Sequence, residues 1–230
     1  MKTVGLIGGM SWESSLEYYR QLNKQVSEKL GGLHSARCLM YSVDFDEIET
    51  YQRRGEWDES ARVLSDIAST LESAGADCVV IATNTMHKVA EDVQAAISIP
   101  LLHIGDATAH AIAEKNIRKV GLLGTKYTME EDFYQARLND NDISVIIPDQ
   151  DDRIEVNRII FEELCMGKML DESRKKVSMM IDQLKQQGAE GIVLGCTEIP
   201  LLIKQENSNL PIFNTMDIHV TKAVEFALNE

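Results

Sequence analysis

Two strand-like segments of this sequence end in side chains that can carry a proton. Residues 81–88 read IATNTMHK, and residues 192–199 read IVLGCTEI. In the first ending Thr83 follows a run of Val and Ile after one alanine, and in the second Cys196 follows a similar run after one glycine. A thiol suits proton transfer because its ordinary pKa of about 8.5 can be lowered at a helix N-terminus. The two endings therefore predict a site that pairs a hydroxyl with a thiol.

Strand-like and helix-like segments alternate along the chain, a pattern that is typical of a parallel sheet with helices on both faces. In the first half the predicted strands are 3–9, 39–45, 77–83 and 100–104. The predicted helices there are 11–30, 57–75 and a segment that ends near residue 97. The sequence thus predicts the α/β class.

The pattern then repeats. KVGLLGTKYT (119–128) echoes TVGLIGGMSW (3–12), LKQQGAEGIVLGCTE (184–198) echoes LESAGADCVVIATNT (71–85), and NLPIFNTMD (209–217) echoes SIPLLHIGD (98–106). The offsets of 116, 113 and 111 residues differ only as short loop changes would make them differ. We therefore predict an internal duplication: two similar, doubly wound α/β domains related by pseudo-twofold symmetry, with the active site in the cleft between them.

The predicted domains are 1–105 and 106–215, with a C-terminal helix at about 216–230 that packs back on the first half. Within the duplication, Thr83 and Cys196 occupy equivalent positions after matched strands. Because the carboxyl ends of parallel strands line the ligand crevice of open α/β sheets, we expect both residues to reach one substrate.

Composition excludes several classes of partner. The formal net charge is −14, which argues against nucleic acid and anionic membranes, since both need basic surface. No apolar run reaches the roughly 18 residues of a membrane span, and the N-terminus enters a strand-like stretch rather than a signal peptide. We expect a cytoplasmic protein. The four cysteines are widely spaced and include no zinc-binding pair, so no residue is assigned to a metal.

Two opposed and nearly equivalent proton carriers fit one reaction in particular. Racemisation at the α-carbon of an amino acid needs a base on one face of the carbon and an acid on the other. The two enantiomers exchange the roles of these groups, so a duplicated fold with matched strand ends meets the requirement. General acid–base catalysis of this kind typically contributes roughly 10² to 10⁴ in rate.

The chain resembles the aspartate/glutamate racemase superfamily along essentially its whole length, in GLIGGMSWES, ATNTMHK and LGCTEI. The resemblance implies a two-domain enzyme that racemises acidic amino acids without pyridoxal phosphate or a metal. Such enzymes use two cysteines, one in a C-N-T motif and one in G-C-T-E. Here Thr83 replaces the first cysteine, which resembles the bacterial branch with a Thr/Cys pair that is selective for L-aspartate and L-glutamate.

The resemblance also implies roles for individual residues. Cys196, as a thiolate, would remove Hα from the L face, and Thr83 would reprotonate the other face, directly or through water, because a threonine hydroxyl is a poor base near neutral pH. The predicted substrate contacts, apart from this catalytic pair, are Met10, Gln52, Asn84, Thr85, Thr197 and, with less support, Thr125. The resemblance further implies a homodimer.

Several positions have an ordinary structural interpretation beside a functional one. Ser11 is predicted to cap the first helix, and Thr128 with Glu131 matches a capping box. The segment 49–60 is predicted to be an acidic loop in which an arginine beside Gln52 either meets the substrate side chain or is merely solvated. His87 is interpreted as a surface or helix-end histidine, with a proton relay from Thr83 as the alternative. Glu198 either tunes the pKa of Cys196 or is an ordinary first-turn glutamate.

Two other functions stay open on the sequence. Some single-cysteine relatives in the superfamily decarboxylate malonate-type acids, and there the thiol only protonates a carbanion. A non-catalytic sensor of acidic amino acids is the third hypothesis, in which Cys196 is an inert strand-end residue. The polar Thr-Asn-Thr ending and nearby Gln52 favour a polar dianionic substrate and therefore the racemase.

Overall fold

The computed structural model describes residues 1–229, in which parallel strands alternate with helices. The strands are β1 (Val4–Gly8), β2 (Cys38–Ser42), β3 (Cys78–Ile81), β4 (Lys119–Gly124), β5 (Ser144–Ile146), β6 (Gly191–Gly195) and β7 (Ile212–Asn214). The helices are α1 (Trp12–Leu30), α2 (Phe45–Arg54), α3 (Trp57–Ser73), α4 (Ala90–Ala95), α5 (Ile104–Glu114), α6 (Lys126–Glu130), α7 (Asp132–Asn139), α8 (Gln150–Glu162), α9 (Asp171–Gln186), α10 (Ile199–Leu202) and α11 (Thr215–Leu228). Short 3₁₀ turns occupy Thr85–Val89, Leu164–Met166 and Gln205–Asn207.

The chain forms two compact units. One comprises Met1–Ile104 together with the chain from His219 onward, and the other comprises Gly105–Ile218. The C-terminal helix belongs to the first unit from His219: the backbone N–H of Lys2 donates to Ala227 O at 2.8 Å. Position 230 of the predicted C-terminal helix lies outside the described residues.

The first unit contains a parallel sheet in the order β2-β1-β3. Strands β1 and β3 are buried along their whole length because helices cover them, which explains their continuous apolar sequences. The predicted strand 100–104 is wrong: Leu101 makes only an isolated parallel bridge to Val79, and Ile104 already begins α5.

The second unit contains a parallel sheet in the order β5-β4-β6-β7. Its first strand, β4, lies between the next two strands of that unit, as β1 lies between β2 and β3 in the first unit. The predicted α/β class with parallel sheets is therefore confirmed, and the two sequence repeats adopt matching strand orders.

The segment 49–60 corrects a second sequence prediction. It was expected to be a loop, but residues through Arg54 belong to α2, and α3 begins at Trp57. Asp44 caps α2, and Gly55 ends it in the left-handed conformation. Ile48 and Gln52, one turn apart, form the buried face of the helix, so apolar burial on that face holds it in place.

The turn from β1 to α1 is fixed by close backbone contacts. Gly9 has φ +96°, and a Cβ there would lie 2.3 Å from Val43 O. The Gly9 N–H donates to Ser15 Oγ at 2.7 Å, and that hydroxyl donates to Ser11 O at 2.8 Å. Ser11 caps α1 as predicted, because its side chain accepts from the Ser14 N–H. Glycine is thus required for this turn, which carries Met10. Among residues 1–229, no helix is long and apolar enough to cross a membrane.

Gly9→Ala is expected to lower the free energy of unfolding more than Gly55→Ala does. Both residues have positive φ, but a Cβ at Gly55 would meet nothing within 4 Å. The control should lose about 1–2 kcal/mol through backbone strain alone, whereas overpacking against Val43 should add about 1–3 kcal/mol at Gly9. Urea denaturation of both variants measures the difference. Equal losses would contradict the steric role of this turn.

Candidate active site

In the first unit, the predicted site residues gather at the carboxyl ends of β1 and β3. Met10 follows β1, and Thr83 follows β3 in a bend that leads into the 3₁₀ turn Thr85–Val89. The Ala82 N–H still donates to Ile7 O at 2.9 Å, so parallel pairing continues to the residue before Thr83. Thr83 itself is partly exposed, whereas Asn84 and Thr85 are buried.

Gln52 lies beside this strand end although it is distant in sequence. Its Nε2 donates to Met86 Sδ at 3.0 Å, and the side chain is buried. Met10, Ile48 and Met86 belong to the same apolar core cluster. Helix α2 therefore brings the amide of Gln52 to the segment that carries Thr85.

The two arginines next to Gln52 point away from this core. Arg53 and Arg54 are exposed, and Arg53 Nε lies 3.7 Å from Glu49 Oε2, one turn back on α2. Three consecutive helical residues face different directions, so the turn that buries Gln52 exposes its two neighbours. Within the first unit these arginines are therefore solvated surface residues.

In the second unit, Thr125 and Cys196 follow neighbouring strands. Gly124 at the end of β4 pairs with Gly195 at the end of β6, and Thr125 and Cys196 are the next residues along each strand. A Cβ on Gly124 would lie 2.8 Å from Gly195 O, so glycine permits this close pairing. Thr125, Cys196 and Thr197 are all buried.

The capping residue of α6 differs from the prediction. Thr125, rather than Thr128, caps this helix, because its side chain accepts from the Thr128 N–H at 3.3 Å. Thr128 lies inside the helix, and its Oγ1 is 3.2 Å from Thr125 Oγ1. Glu131 instead precedes α7 with extended backbone. The prediction chose the wrong threonine: Thr125 and Thr128 are three residues apart, and the helix begins after the first of them.

The thiol of Cys196 is hydrogen-bonded to a carboxylate. Cys196 Sγ donates to Glu198 Oε2 at 3.0 Å, and Thr197 Oγ1 donates to the same oxygen at 2.9 Å. All three residues are buried, so little water competes for these bonds. The arrangement gives Glu198 a specific partner, which the interpretation as an ordinary first-turn glutamate did not include.

Burial raises the pKa of the Cys196 thiol well above its ordinary value, and the charge of Glu198, nearby Cys165 and the thiol–carboxylate hydrogen bond raise it further. The backbone N–H of Glu198 lowers the pKa, as expected at a helix start, but desolvation outweighs it. Burial and the Glu198 charge thus favour the protonated thiol in the resting structure, and the thiolate role of Cys196 stays a prediction. Glu198 is placed to accept its proton.

Three histidines form a cluster in the first unit that the sequence did not predict. His87 is buried rather than at the surface, and its ring lies 4.6 Å from His103 and 5.7 Å from His219 between centroids. Tyr18 Oη lies 3.0 Å from His219 Nδ1. Spacing for metal ligands could not reveal this cluster, because its members come together only through packing. Across residues 1–229 no group of three or more His, Cys, Asp or Glu side chains could hold a metal ion.

Comparison with known protein families identifies the class to which this chain belongs. A model of the Asp/Glu/Hydantoin racemase family matches residues 7–223. Because this match covers most of the chain, the chain belongs to that family. The predicted superfamily and the prediction of an amino acid racemase are thereby confirmed.

Individual relatives agree with this placement. The crystal structure of a candidate Asp/Glu racemase from Yersinia pestis is 52% identical, with a TM-score of 0.93 over 99% of this chain and 100% of that one. An aspartate racemase homologue from Pyrococcus horikoshii is 37% identical, with a TM-score of 0.86 over the same shares. The broad specificity amino-acid racemase RacX of Bacillus subtilis is 28% identical over 220 residues, which are 92% of each chain.

Glu198→Gln is expected to lower the pKa of the Cys196 thiol, because it removes a negative charge beside the sulfur. The thiolate would then appear at lower pH than in the unmodified protein, although burial still holds its pKa high. The pH dependence of iodoacetamide alkylation at Cys196, followed by mass spectrometry, measures the change. Glu206→Gln, on the exposed turn Gln205–Asn207, is the control. An unchanged profile in Glu198→Gln would show that this carboxylate does not act on the thiol.

Proposed function

We propose that this enzyme racemises L-aspartate and L-glutamate without pyridoxal phosphate or a metal, and that Cys196 and Thr83 transfer the protons. The observation that carries the proposal is the buried Cys196–Glu198 hydrogen bond at the end of β6. It supplies a thiol with a proton acceptor at the position that the sequence repeat matches to Thr83 at the end of β3.

The first step uses the carboxylate that holds the thiol. Glu198 takes the proton from Cys196, and the thiolate then takes Hα from the L face of the substrate. The electron pair of the C–H bond is left on the α-carbon and is shared with the adjacent carboxyl group. Transfer to a partner 3.0 Å away needs no rearrangement of Cys196, and it neutralises the Glu198 charge that is one cause of the raised thiol pKa.

The second step gives a proton to the opposite face of the carbanion. The Thr83 hydroxyl donates it and regains a proton from water, and Glu198 then releases its proton so that the cycle closes. Thr83 is partly exposed, so water can reach it, whereas buried Cys196 is protected from solvent. A hydroxyl is a better donor than base near neutral pH, and this makes the two directions chemically unequal.

The buried polar groups at both strand ends are proposed to hold the substrate. In the first unit they are Gln52, Asn84 and Thr85, with Met10 beside them, and in the second they are Thr125 and Thr197. Amide and hydroxyl donors can bind carboxylates without adding charge. They offset repulsion from the net charge of −14, which salt screens beyond about 8 Å under physiological conditions.

The proposed preference for L-substrates has a thermodynamic limit. The equilibrium constant between enantiomers is unity, so kcat/KM must be equal in the two directions of a simple reversible racemase. Selectivity for the L-enantiomers therefore lies in saturation, in inhibition, or in a D reaction that is too slow to assay. Among the relatives, one is named a broad specificity amino-acid racemase and another an aspartate racemase homologue, so acidic substrates are the first to test. We further propose a cytoplasmic homodimer.

The raised pKa of Cys196 also favours a second candidate, a decarboxylase of a small dicarboxylic acid. In that reaction the thiol only donates its proton to a carbanion, so it must start in the protonated form, which a raised pKa favours. The two candidates differ in what they do to an amino acid: a racemase exchanges Hα with solvent, whereas the decarboxylase leaves it in place and releases carbon dioxide from malonate-type acids.

Proton NMR of L-aspartate and L-glutamate in deuterium oxide is the decisive assay. The unmodified enzyme should remove the Hα signal, and Cys196→Ser should lower the exchange rate by roughly 10² to 10⁴, the usual contribution of a general base. Cys165→Ser, a change of the same kind at a neighbouring thiol, should retain exchange. If neither substrate exchanges Hα at high enzyme concentration, the racemase proposal fails. Carbon dioxide release would then support the decarboxylase, and binding without exchange the sensor.

Thr83→Cys is expected to speed the formation of D-product, because a thiol can act as both acid and base at the second face. The gain should reach about tenfold or more, within the range of general acid–base catalysis. Chiral chromatography of both reaction directions measures it. Thr70→Cys, at an exposed position of α3, controls for the mere presence of an added thiol. A Thr83→Cys variant that slows both directions would contradict direct proton transfer by this residue.

A further inference from the structure

The side chain of His87 forms a hydrogen bond with the Thr83 carbonyl, which in an α-helix would be bonded to the backbone N–H of His87. The residues are four apart, so in an α-helix the His87 N–H would donate to Thr83 O. Instead the segment is a 3₁₀ turn, and the His87 N–H donates to Asn84 O at 3.0 Å. The Thr83 carbonyl accepts from His87 Nδ1 at 2.8 Å. The ring thereby ties down the backbone of Thr83 directly after β3.

The other ring nitrogen is also engaged. Ile104, the first residue of α5, donates its backbone N–H to His87 Nε2 at 3.2 Å. Only one tautomer satisfies both contacts: Nδ1 carries the proton that Thr83 O accepts, and Nε2 is the acceptor. Because both nitrogens are bound to backbone groups, His87 has no ring atom left to relay a proton from Thr83.

The surroundings keep the ring neutral. His87 is buried between His103 and His219, and burial together with these two rings lowers its pKa well below the ordinary value. His219 is also buried, and its pKa is lowered to about 4. A cationic His87 would lose the acceptor for the Ile104 N–H, so the observed contacts require the neutral form.

We propose that His87 is a positioning residue for the second proton transfer, and that it fixes the Thr83 hydroxyl by holding the Thr83 carbonyl. This inference rests on the proposed function, because it assigns Thr83 to the chemistry. Thr83 lies beyond the last strand pair, in a bend, so the ring contact replaces the ladder bonds that hold residues within β3.

The second unit has no equivalent device. The repeat offset that matches Thr83 to Cys196 matches His87 to Pro200, which has no ring nitrogen to offer. There the end of β6 is held by Thr215 Oγ1, which donates to Leu194 O at 2.8 Å, and Cys196 is held by Glu198. Each half thus positions its proposed reactive residue differently. In the first half a hydrogen bond to the backbone carbonyl holds Thr83, and in the second half a hydrogen bond from the thiol itself holds Cys196.

Nitrogen-15 NMR of labelled histidine side chains tests the contact itself. His87 should show a protonated Nδ1 and an unprotonated Nε2 near neutral pH, and His87→Asn should identify its resonances by their loss. His219 is an internal reference of opposite type: its Nε2 lies 2.6 Å from Leu102 O, and its Nδ1 faces Tyr18 Oη. A protonated Nε2 or a cationic ring at His87 would overturn the proposal.

Kinetic measurements test whether His87 positions Thr83. They use two variants, each of which can keep one of the two hydrogen bonds of the His87 ring. Asn can place an amide N–H where Nδ1 stands, and Gln can place its carbonyl where Nε2 stands. His87→Gln should lower kcat for D-product by about tenfold to a hundredfold, as a displacement of roughly 1 Å can. Its KM and its Cys196-dependent exchange of Hα should stay near those of the unmodified enzyme. His87→Asn should restore inversion.

His219→Asn is the matched control, because it alters the same buried cluster without touching Thr83. It should leave the ratio of inversion to exchange unchanged, even if the variant is less stable. The proposal is wrong if His87→Gln lowers inversion and exchange equally, if it lowers neither, or if His87→Asn behaves like His87→Gln. Absence of Cys196-dependent exchange in the unmodified enzyme is a different result, since it overturns the proposed function itself.

Discussion

The structure depends on one constraint: parallel strands run in the same direction, so their carboxyl ends lie at the same edge of the sheet. Within each unit this brings loops from separate parts of the chain to one edge of a sheet. Thr83 follows β3, and Cys196 follows β6 beside the end of β4. Close backbone approach at these ends admits only glycine at Gly9 and at Gly124, so the same residues that allow pairing also shape the site.

Burial then decides which groups carry charge. Desolvation disfavours the charged form of any group, so it raises the pKa of Cys196 and lowers that of His87 and His219. These residues are therefore neutral hydrogen-bond partners in the resting structure. Glu198 accepts two hydrogen bonds, one of them from the Cys196 thiol.

The two halves share a strand order but have diverged at their strand ends. One half places the Thr83 hydroxyl in a partly exposed bend and binds the backbone carbonyl of Thr83 to a histidine, whereas the other half buries a thiol against a carboxylate. Equal halves would suit equal treatment of both enantiomers. Unequal halves fit the proposed division between a base that is protected from solvent and an acid that water can reprotonate, and this division is the proposed basis of the L-preference.

The sequence by itself determined the fold class, the internal repeat and the family, and it singled out Thr83 and Cys196 as the proposed catalytic pair, because apolar strands and short strand-end motifs are local features that order along the chain reveals. It misjudged the loop at 49–60, the cap at Thr128 and the setting of His87. Helix α2 forms where apolar burial of Ile48 fixes it, and the neutral histidines acquire partners from distant segments. Only the tertiary structure shows what raises the pKa of Cys196, since desolvation depends on what the whole fold places around a group.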